Sequence, residues 1–324
     1  MSTEVIARFP CFGGHCVVMV GGTGPAGRPA DAVLRAKRRL LGWHGQFSRF
    51  DDGSELSRLN ADRRGTVPVS AAMIRFVAAA IEAAELTGGL VDPTLVTEIE
   101  RAGYVDSLPD TSVASLSTQR ALAPTATRSP AGPSPTAAWR QIKVDHEAEA
   151  ITRPPGVRLD SGGIAKGMFA DMLAAELAGH DSFAVTLAGD LRFGTTGSER
   201  RPVQVADPFD DSLLHVFELV RGAAATSAIT KRSWRAADGS HAHHLIDPAT
   251  GRPAFTGVVQ VTALAPTAAE AEARSKAALL SGPSAAATWL THGGLVVRDD
   301  ASIELIEAPA ERVEAEREPM AVSR

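Results

Sequence analysis

Apolar residues recur every three or four positions in two stretches of the N-terminal third, and this spacing predicts two amphipathic helices. Pro29 opens the first helix, which is expected to run to about Gln46. The second has Ser70 as its N-cap and is expected to stop at Gly88-Gly89. The residues expected on the buried stripes are Val33, Leu34, Leu40 and Leu41 in the first helix, and Ile74, Val77 and Ile81 in the second.

Segments typical of strands come in consecutive groups. They include "HCVVMVGGTG", "SFAVTLAGDLRFG", "HVFELVRGAAATS" and "VVQVTALAP", and the pair "GGLVVRD" and "ASIELIEA" predicts a closing hairpin. Further helices are predicted after Gly162 and after Thr267, which begins a capping box with Glu270. Because strands are grouped as well as alternating with helices, the sequence predicts an α+β fold with mostly antiparallel sheets and packed helices.

One domain covering residues 1–307 accounts for these elements, with a single interruption. Residues 108–138 are rich in Ser, Thr, Pro and Ala, most densely in "APTATRSPAGPSPTAAW". Such a segment has too little apolar surface to offset the entropy lost on ordering, so a flexible insertion is expected there. Residues 308–324 are highly charged and are expected to form a loose C-terminal tail.

Composition argues against several classes of function. The 324 residues carry a formal net charge of −5, which argues against a nucleic-acid-binding surface. The two cysteines, Cys11 and Cys16, are too few for a zinc site or a disulfide framework. The first residues lack a basic start followed by a long apolar run, so a cytoplasmic chain with no signal peptide, lipoprotein cysteine or membrane span is expected.

A glycine pair ahead of a helix marks the first candidate site, in "LDSGGIAKGMFADML". Gly162 and Gly163 would let backbone N–H groups approach a ligand closely, and a helix N-terminus favours an anion. Lys166 adds a positive charge in the first turn, where an acidic residue would suit the helix dipole better. A phosphate or the polar edge of a cofactor is therefore the expected ligand, although a plain glycine turn before a core helix has the same pattern.

A second candidate lies in "HHLIDPATGRP". Asp247 is close enough to His244 in sequence for its carboxylate to orient the imidazole, as a general base requires. A proline-glycine turn with exposed polar residues is the alternative interpretation, and a lone His-x-x-Asp favours it.

Two other clusters have both a chemical and a structural interpretation. Ser54 and Glu55 belong to the predicted polar loop "RFDDGSELSRLN", which is either a recognition loop or a solvated turn. Glu272 and Lys276 lie four residues apart on the helix after Thr267, a spacing typical of a surface ion pair. Whether Glu272 and Lys276 have a chemical role can be judged only together with the motifs around them.

The order of the motifs resembles the ApbE family, the FAD:protein FMN transferases. The matching elements, between about residues 9 and 307, are "FSRFDDGSELSRLN", "VDPTL", "LDSGGIAKG", "LAGDLR", "ATS", "HHLIDPATGRP" and "APTAAEAEARSKAALLSG". The resemblance implies an ApbE-like fold with an FAD cleft between lobes, FAD as substrate and Mg²⁺ as metal. It also implies transfer of FMN from FAD to a Ser or Thr hydroxyl of a flavin-acceptor protein, through a phosphoester bond and with release of AMP, while some relatives mainly hydrolyse FAD.

The resemblance further implies roles for individual residues. The implied catalytic residues are His244, which would assist the acceptor hydroxyl, Lys166 and Asp247. The backbone carbonyl of Ala165 and the side-chain positions of Glu272 and Lys276 correspond to the metal site, with Asp160 nearby. The implied FAD contacts are Ser54, Glu55, Asp92, Gly163, Lys166, Gly189, Asp190, Thr226 and Ser227.

The metal positions depart from the family pattern. Relatives usually carry Asp and Thr where this chain has Glu272 and Lys276, and a protonated lysine has no acceptor with which to ligate a metal. Three interpretations stay open: the Lys276 ammonium supplies part of the metal's charge, Mg²⁺ binds through fewer protein ligands and more water, or this chain binds FAD and has lost transfer. The alternative function is therefore an FAD-binding protein, or an FAD pyrophosphatase, with weak or lost transferase activity.

Phe12 and Phe50 are a second departure, because many relatives carry Met and Tyr at these positions. Both residues are aromatic in this chain and lie close to motifs that carry the resemblance. Stacking on the flavin ring is therefore expected to differ in detail from that in those relatives.

Overall fold

An antiparallel eight-stranded sheet runs through the computed structural model, which describes residues 3–106, 128–236 and 239–308. Its strands occur in the order β1-β2-β6-β7-β10-β15-β16-β17, and every neighbouring pair is antiparallel. This arrangement confirms the predicted α+β fold and the closing hairpin. The strands are β1 (Val5–Cys11), β2 (Gly14–Gly21), β6 (Ser182–Leu187), β7 (Asp190–Thr195), β10 (Gly222–Ala228), β15 (Val258–Ala265), β16 (Gly294–Arg298) and β17 (Ile303–Ile306).

Smaller sheets surround the main one. The β8–β9 hairpin contributes Val203 and Phe217 to an apolar cluster with Phe193 and Leu264 of the main sheet. This contact covers part of one sheet face. The remaining strands are β3 (Thr66–Pro68), β4 (Lys143–Asp145), β5 (Ala150–Thr152), β8 (Arg201–Ala206), β9 (Leu213–Leu219), β11 (Ser233–Arg235), β12 (His241–His243), β13 (Ile246–Asp247) and β14 (Arg252–Pro253).

Three helices pack against the main sheet and enclose the principal core: α1 on β1 and β2, α5 on β6 and β7, and α6 on β10 and β15. In the stretches that the structure covers, no helix has both the length and the apolar character needed to cross a membrane. The helices are α1 (Pro29–Gln46), α2 (Glu55–Ala61), α3 (Ala71–Leu86), α4 (Val96–Arg101), α5 (Ala165–Leu177), α6 (Ala268–Ser281) and α7 (Ala286–Trp289), with a 3₁₀ helix at Ala138–Gln141.

The predicted helix boundaries of α1 and α3 are close to those observed, but part of the α1 stripe was wrong. Val33 and Leu40 are buried, whereas Leu34 and Leu41 are 54% and 42% exposed. The buried face instead continues through Ala36 and Trp43. These positions are spaced three and four apart, as one face of an α-helix requires, so the residues directly after Val33 and Leu40 point away from the core.

The predicted polar loop "RFDDGSELSRLN" contains a helix that the sequence analysis missed. Ser54 is the N-cap of α2, and its side chain accepts a hydrogen bond from the Ser57 amide at 2.9 Å. Leu56 and Leu59 are buried on one side of this short helix. Two apolar residues give too weak a periodic signal in sequence, and it is the packing of this pair that makes the helix stable.

Most of the predicted insertion, residues 108–127, and nearly all of the predicted tail, from residue 309, lie outside the described residues. The end of the insertion segment contacts the domain. The Ala131 amide donates to the Leu280 carbonyl at 2.8 Å, and the Gly132 amide donates to the Asp247 carboxylate at 3.0 Å. These backbone donors have partners on the domain, so residues 128–138 are tied to it rather than forming a free loop.

Helices α5 and α6 cap each other's N-termini. Glu272 of α6 accepts a hydrogen bond from the Gly167 amide at 2.9 Å, and Asp171 of α5 accepts from the Ala268 and Ala269 amides at 2.8 and 2.9 Å. Each carboxylate satisfies amides that have no partner within their own helix and faces the positive end of a helix dipole. The close approach of the two helices requires glycine at position 167.

Gly167→Ala is expected to lower the free energy of unfolding by about 1–3 kcal/mol, the usual cost of overpacking. An added Cβ would lie 2.6 Å from the Ala268 carbonyl oxygen. The matched control is Gly42→Ala in α1, where a Cβ would meet no atom within 4 Å. That variant is expected to gain up to about 1 kcal/mol from helix propensity. Denaturant unfolding of both variants checks this, and shifts of the same sign would contradict it.

Candidate active site

Six of the predicted site residues line one cavity, whose volume is about 170 Å³. Its wall combines the β1–β2 turn, the end of α1, the segment before α4, the start of α5, and residues 244–246. An apolar concave surface with a few converging polar groups is typical of a cofactor or substrate site. The six residues are Asp92, Gly163, Ala165, Lys166, His244 and Lys276.

Stacked aromatic rings form one side of the cavity. Phe12 lies in the two-residue turn between β1 and β2, where its φ of 55° and the φ of 71° at Gly13 are typical of a tight hairpin. The Phe12 ring stacks on Phe169 with centroids 5.6 Å apart, and Phe169 stacks on Trp43 at 4.9 Å. This side suits a flat apolar ring system.

A second aromatic group carries a guanidinium. Arg49 lies 4.5 Å from the ring centroid of Phe50 and 4.9 Å from that of Tyr104. Its Nε pairs with Asp160 at 3.2 Å, and the other Asp160 oxygen accepts from the Gly162 amide at 3.1 Å. Arg49 and Asp160 therefore join the end of α1 to the glycine pair before α5.

Four charged side chains, three of them buried and Lys166 mostly buried, lie where α5 and α6 meet the cavity. Lys166 forms ion pairs with Asp190 and, at 2.9 Å, with Oε1 of Glu272. Lys276 donates to the same Glu272 oxygen at 2.9 Å. The Asp190 and Glu272 side chains are 4% and 1% exposed, so neither carboxylate could remain charged there without the ammonium groups. These four side chains form one charge cluster, in which burial raises the pKa of Asp190 against the attraction of Lys166.

The pKa shifts follow from this environment. Burial alone would lower the pKa of Lys166, but the Asp190 and Glu272 carboxylates raise it above its ordinary value. For Lys276, burial outweighs the attraction of Glu272, and the pKa is lowered. Burial opposes ionisation of Glu272, yet both lysines hold its pKa below the usual value. Glu272 is therefore the carboxylate to which both ammonium groups are anchored.

His244 faces the cavity as a neutral imidazole. Burial, and then the positive charges of Arg232 and the two lysines, hold its pKa well below the usual value. Among the residues that the structure describes, its buried Nδ1 has no hydrogen-bond partner. A neutral histidine on a cavity wall offers one ring nitrogen as a proton acceptor, and its lowered pKa makes it a weaker base than a solvated histidine.

Asp247 does not orient His244, so this part of the prediction was wrong. One Asp247 oxygen accepts from the amides of Gly132 and Ala249, each at 3.0 Å, and the other accepts from the Thr250 hydroxyl at 2.8 Å. These bonds are those of the proline-glycine turn that was the alternative interpretation. The His244 and Asp247 backbones are near each other, but the carboxylate closes the turn and anchors residue 132.

Ser54 and Glu55 also lie off the cavity wall. The Glu55 carboxylate accepts from the Ser70 amide at 2.6 Å, the Ser70 hydroxyl at 2.8 Å and the Gln46 amide group at 2.6 Å. It thereby joins the ends of α1, α2 and α3. The wall is formed instead by Ser48, Arg49 and Phe50, just before the pair.

The remaining predicted FAD contacts divide between the wall and the surrounding structure. Asp92 lies on the wall, its Oδ2 is buried and has no partner within the described residues, and burial raises its pKa. Thr226 and Ser227 bond Thr262 and Ser275, each at 2.8 Å. Gly189 lies in the β6–β7 turn with a φ of 105° and does not line the cavity.

Known proteins resemble this chain in sequence and in fold. A profile of the ApbE family matches residues 17–297. The chain belongs to the ApbE family. The FAD:protein FMN transferase of Salmonella typhimurium is 26% identical over 280 residues, which cover 84% of this chain and 77% of that protein. The one from Treponema pallidum is 28% identical over 293 residues, covering 84% and 77%.

Solved ApbE structures share the fold. The ApbE protein of Thermotoga maritima aligns with a TM-score of 0.73 at 25% identity over 94% of this chain and 97% of its own. The flavin transferase ApbE of Vibrio cholerae aligns with a TM-score of 0.72 at 21% identity over 97% and 99%. The resemblance stated from the sequence motifs is thereby confirmed.

The metal that the ApbE resemblance implies does not fit the donors present here. Both oxygens of Glu272 already accept hydrogen bonds, Oε1 from two lysines and Oε2 from the Gly167 amide. Mg²⁺ prefers oxygen ligands in octahedral geometry, and lysine offers none. In the part of the chain that the structure covers, no group of three or more His, Cys, Asp or Glu residues could hold a metal ion.

Several wall residues of this ApbE chain escaped the sequence analysis. Arg232 donates to the Phe12 carbonyl at 2.9 Å, and Tyr104 stacks on Trp234 with centroids 5.3 Å apart. Phe169 has the periodicity of an ordinary core residue of α5. For Arg49 a signal was available, because it precedes Phe50 within the first matching motif. For Arg232 and Tyr104 no neighbouring motif marked the position.

The pH dependence of stability is expected to include a contribution from His243, which is fully buried beside His244. Burial lowers the pKa of His243 from 6.5 to about 3. Below pH 6.5 the unfolded chain therefore binds a proton that the folded chain rejects, and stability falls by about 1.4 kcal/mol per pH unit as the pH drops towards the folded pKa. Denaturant unfolding at several pH values should show a shallower acid loss for His243→Phe. Parallel curves for the two proteins would contradict this.

Proposed function

We propose that this chain transfers FMN from FAD to a Ser or Thr hydroxyl of a flavin-acceptor protein and releases AMP. The single observation that carries the proposal is the cavity itself. One cavity is lined by stacked aromatic rings, by Lys166 at the start of α5, by Lys276 of α6 and by a neutral histidine. FAD requires these features together, because its flavin ring is flat and apolar while its pyrophosphate is anionic.

The flavin ring would lie against Phe12 and the neighbouring aromatic residues, and the pyrophosphate near Lys166 and Lys276. The Gly163 amide would add a hydrogen-bond donor just before α5, whereas the amides of Ile164 and Ala165 donate to the Ser161 carbonyl. A Cβ on Gly163 would have only one atom within 4 Å, a Val91 methyl, so the backbone there is accessible from the cavity. In this arrangement the flavin ring at one end of FAD would meet apolar surface, and the pyrophosphate in the middle of the molecule would meet positive charge.

The reaction needs one proton acceptor and fixed positive charge. The acceptor hydroxyl oxygen forms a bond to the FMN phosphorus, the bond from that phosphorus to the bridging oxygen breaks, and AMP leaves with this oxygen. His244 would take the hydroxyl proton, since its imidazole is neutral and its Nδ1 has no partner among the described residues. The lysines would face the charge that develops on the phosphate oxygens.

The test is direct transfer with purified components. The protein is incubated with FAD and a flavin-acceptor domain, and covalent flavin on the acceptor is measured by in-gel fluorescence while AMP is measured by chromatography. Equal amounts of flavinylated acceptor and AMP are expected. An acceptor domain in which the target hydroxyl is removed by substitution to Ala is the control, and it should give no flavinylated product.

A second candidate is favoured by the poor fit of the metal donors at Glu272 and Lys276. In this alternative the chain binds FAD and hydrolyses it, or retains it, with little transfer. AMP and FMN formed without flavinylated acceptor would identify hydrolysis. Binding of FAD with no AMP at all would identify a carrier.

A further inference from the structure

The environment of Glu272 raises the question of what balances its charge. Its Oε1 accepts from the Nζ atoms of both Lys166 and Lys276, each at 2.9 Å, and its Oε2 accepts from the Gly167 amide at 2.9 Å. The carboxylate is 1% exposed. Two ammonium groups and a helix N-terminus therefore surround it, and its charge is balanced without any further cation.

We propose that the Lys276 ammonium occupies the place of a divalent cation beside Glu272, and that this chain cleaves FAD with no metal bound there. The inference rests on the proposed function for its substrate. Lys276 lines the cavity, so its ammonium is held by Glu272 on one side and faces the expected position of the pyrophosphate on the other. An ammonium so placed can stabilise charge on phosphate oxygens during cleavage.

A divalent cation bound at Glu272 would be repelled by the neighbouring ammonium groups. Lys166 and Lys276 both contact Oε1 of Glu272, so a divalent cation at Glu272 would lie beside two ammonium groups. It would also have to displace the bond from Lys276 in order to reach Oε1. Nitrogen ligands would not compensate, because Mg²⁺ prefers oxygen.

An ordinary structural ion pair would explain the contact between Glu272 and Lys276 but not its position. Pairs at this spacing on a helix usually lie in solvent and contribute little. Here the pair is buried, shares a carboxylate with a lysine of another helix and borders the cavity. The two explanations differ in how the protein should respond to metal.

The first measurement is AMP release from FAD, with acceptor domain present, in excess EDTA and in rising Mg²⁺. The wild-type rate is expected to be the same in both conditions. Lys276→Thr in EDTA is expected to lose roughly 10²–10³-fold, the range for removing one group that stabilises developing charge. Mg²⁺ should restore part of that loss, since Thr offers an oxygen ligand and frees Oε1 of Glu272 from one donor.

The second measurement needs no turnover. Binding of Mn²⁺ to the FAD-free protein is followed by electron paramagnetic resonance. Wild-type protein is expected to bind Mn²⁺ about 10–100-fold more weakly than Lys276→Thr, the range in which neighbouring groups change metal affinity. Arg274→Gln is the matched control on the same helix, because Arg274 pairs with Glu270 and does not line the cavity. It should leave the rate and the Mn²⁺ affinity unchanged.

Loss of wild-type AMP release in EDTA would overturn the inference while leaving the proposed function intact. Equal Mn²⁺ affinity in wild type and Lys276→Thr would overturn it as well. If no condition yields AMP, the proposed function fails, and the Mn²⁺ measurement still decides whether Lys276 excludes metal. Should Lys276→Thr fail to fold, the EDTA experiment on the wild-type protein decides the question alone.

Discussion

His244→Ala is expected to reduce FMN transfer by roughly 10²–10⁴-fold, the usual range for general acid–base assistance, with FAD affinity largely kept. The reason is the state of the imidazole: burial and the neighbouring cations keep it neutral, and its Nδ1 has no partner among the described residues. Single-turnover transfer and FAD binding, measured separately, check the two parts. Loss of FAD affinity equal to the loss of transfer would make His244 a binding residue only.

Two further measurements separate proton transfer from packing. Added imidazole should partly restore transfer in His244→Ala, because the substitution leaves a space on the cavity wall. Since burial and neighbouring cations lower the pKa of His244, transfer should persist to lower pH than an ordinary histidine base would allow. His215→Ala is the control for the loss of an imidazole, because His215 lies on β9 and does not line the cavity.

Lys166→Met is expected to abolish transfer and to lower the free energy of unfolding by about 3–5 kcal/mol, the usual cost of breaking a buried ion pair from one side. The substitution would leave Asp190 and Glu272 with only Lys276 to balance them. Adding Asp190→Asn removes the excess negative charge and should recover much of the stability but none of the transfer. Denaturant unfolding and the flavinylation assay measure the two effects independently.

The matched control for this prediction is Arg158→Met. Arg158 pairs with Glu100 at 2.7 Å, but the two side chains are 31% and 32% exposed. A solvated pair of this kind is expected to contribute only about 0–1 kcal/mol. If Lys166→Met is no more destabilising than Arg158→Met, the buried charge cluster does not have the energetic role assigned to it.

Local patterns predicted the elements that carry strong periodic or capping signals. The α1 and α3 helices, the Thr267 cap and the closing hairpin depend on neighbouring residues, and each lies close to its predicted bounds. The short α2 helix was missed because two buried leucines give a weak signal. The family was evident from motif order, since that order is a property of the chain itself.

Contacts between distant segments could not be derived in the same way. Glu55 and Asp247 have the residue types of binding or catalytic groups, and both are used to hold loops in place. Their carboxylates accept hydrogen bonds from donors in neighbouring segments. The sequence does not specify which donors will lie next to which carboxylate. Arg232 and Tyr104, in contrast, reach the cavity from segments with no recognisable motif.

The sequence by itself determined the fold class, the family and the helix start that bears Lys166. It also determined that a lysine stands at position 276, but the i,i+4 spacing with Glu272 suggested a surface pair. The tertiary structure decided otherwise. The close packing of α5 on α6, made possible by Gly167, brings Lys166 and Lys276 to one buried carboxylate beside the cavity. Spacing along a helix specifies which side chains are neighbours, whereas only packing specifies whether they face water or a ligand.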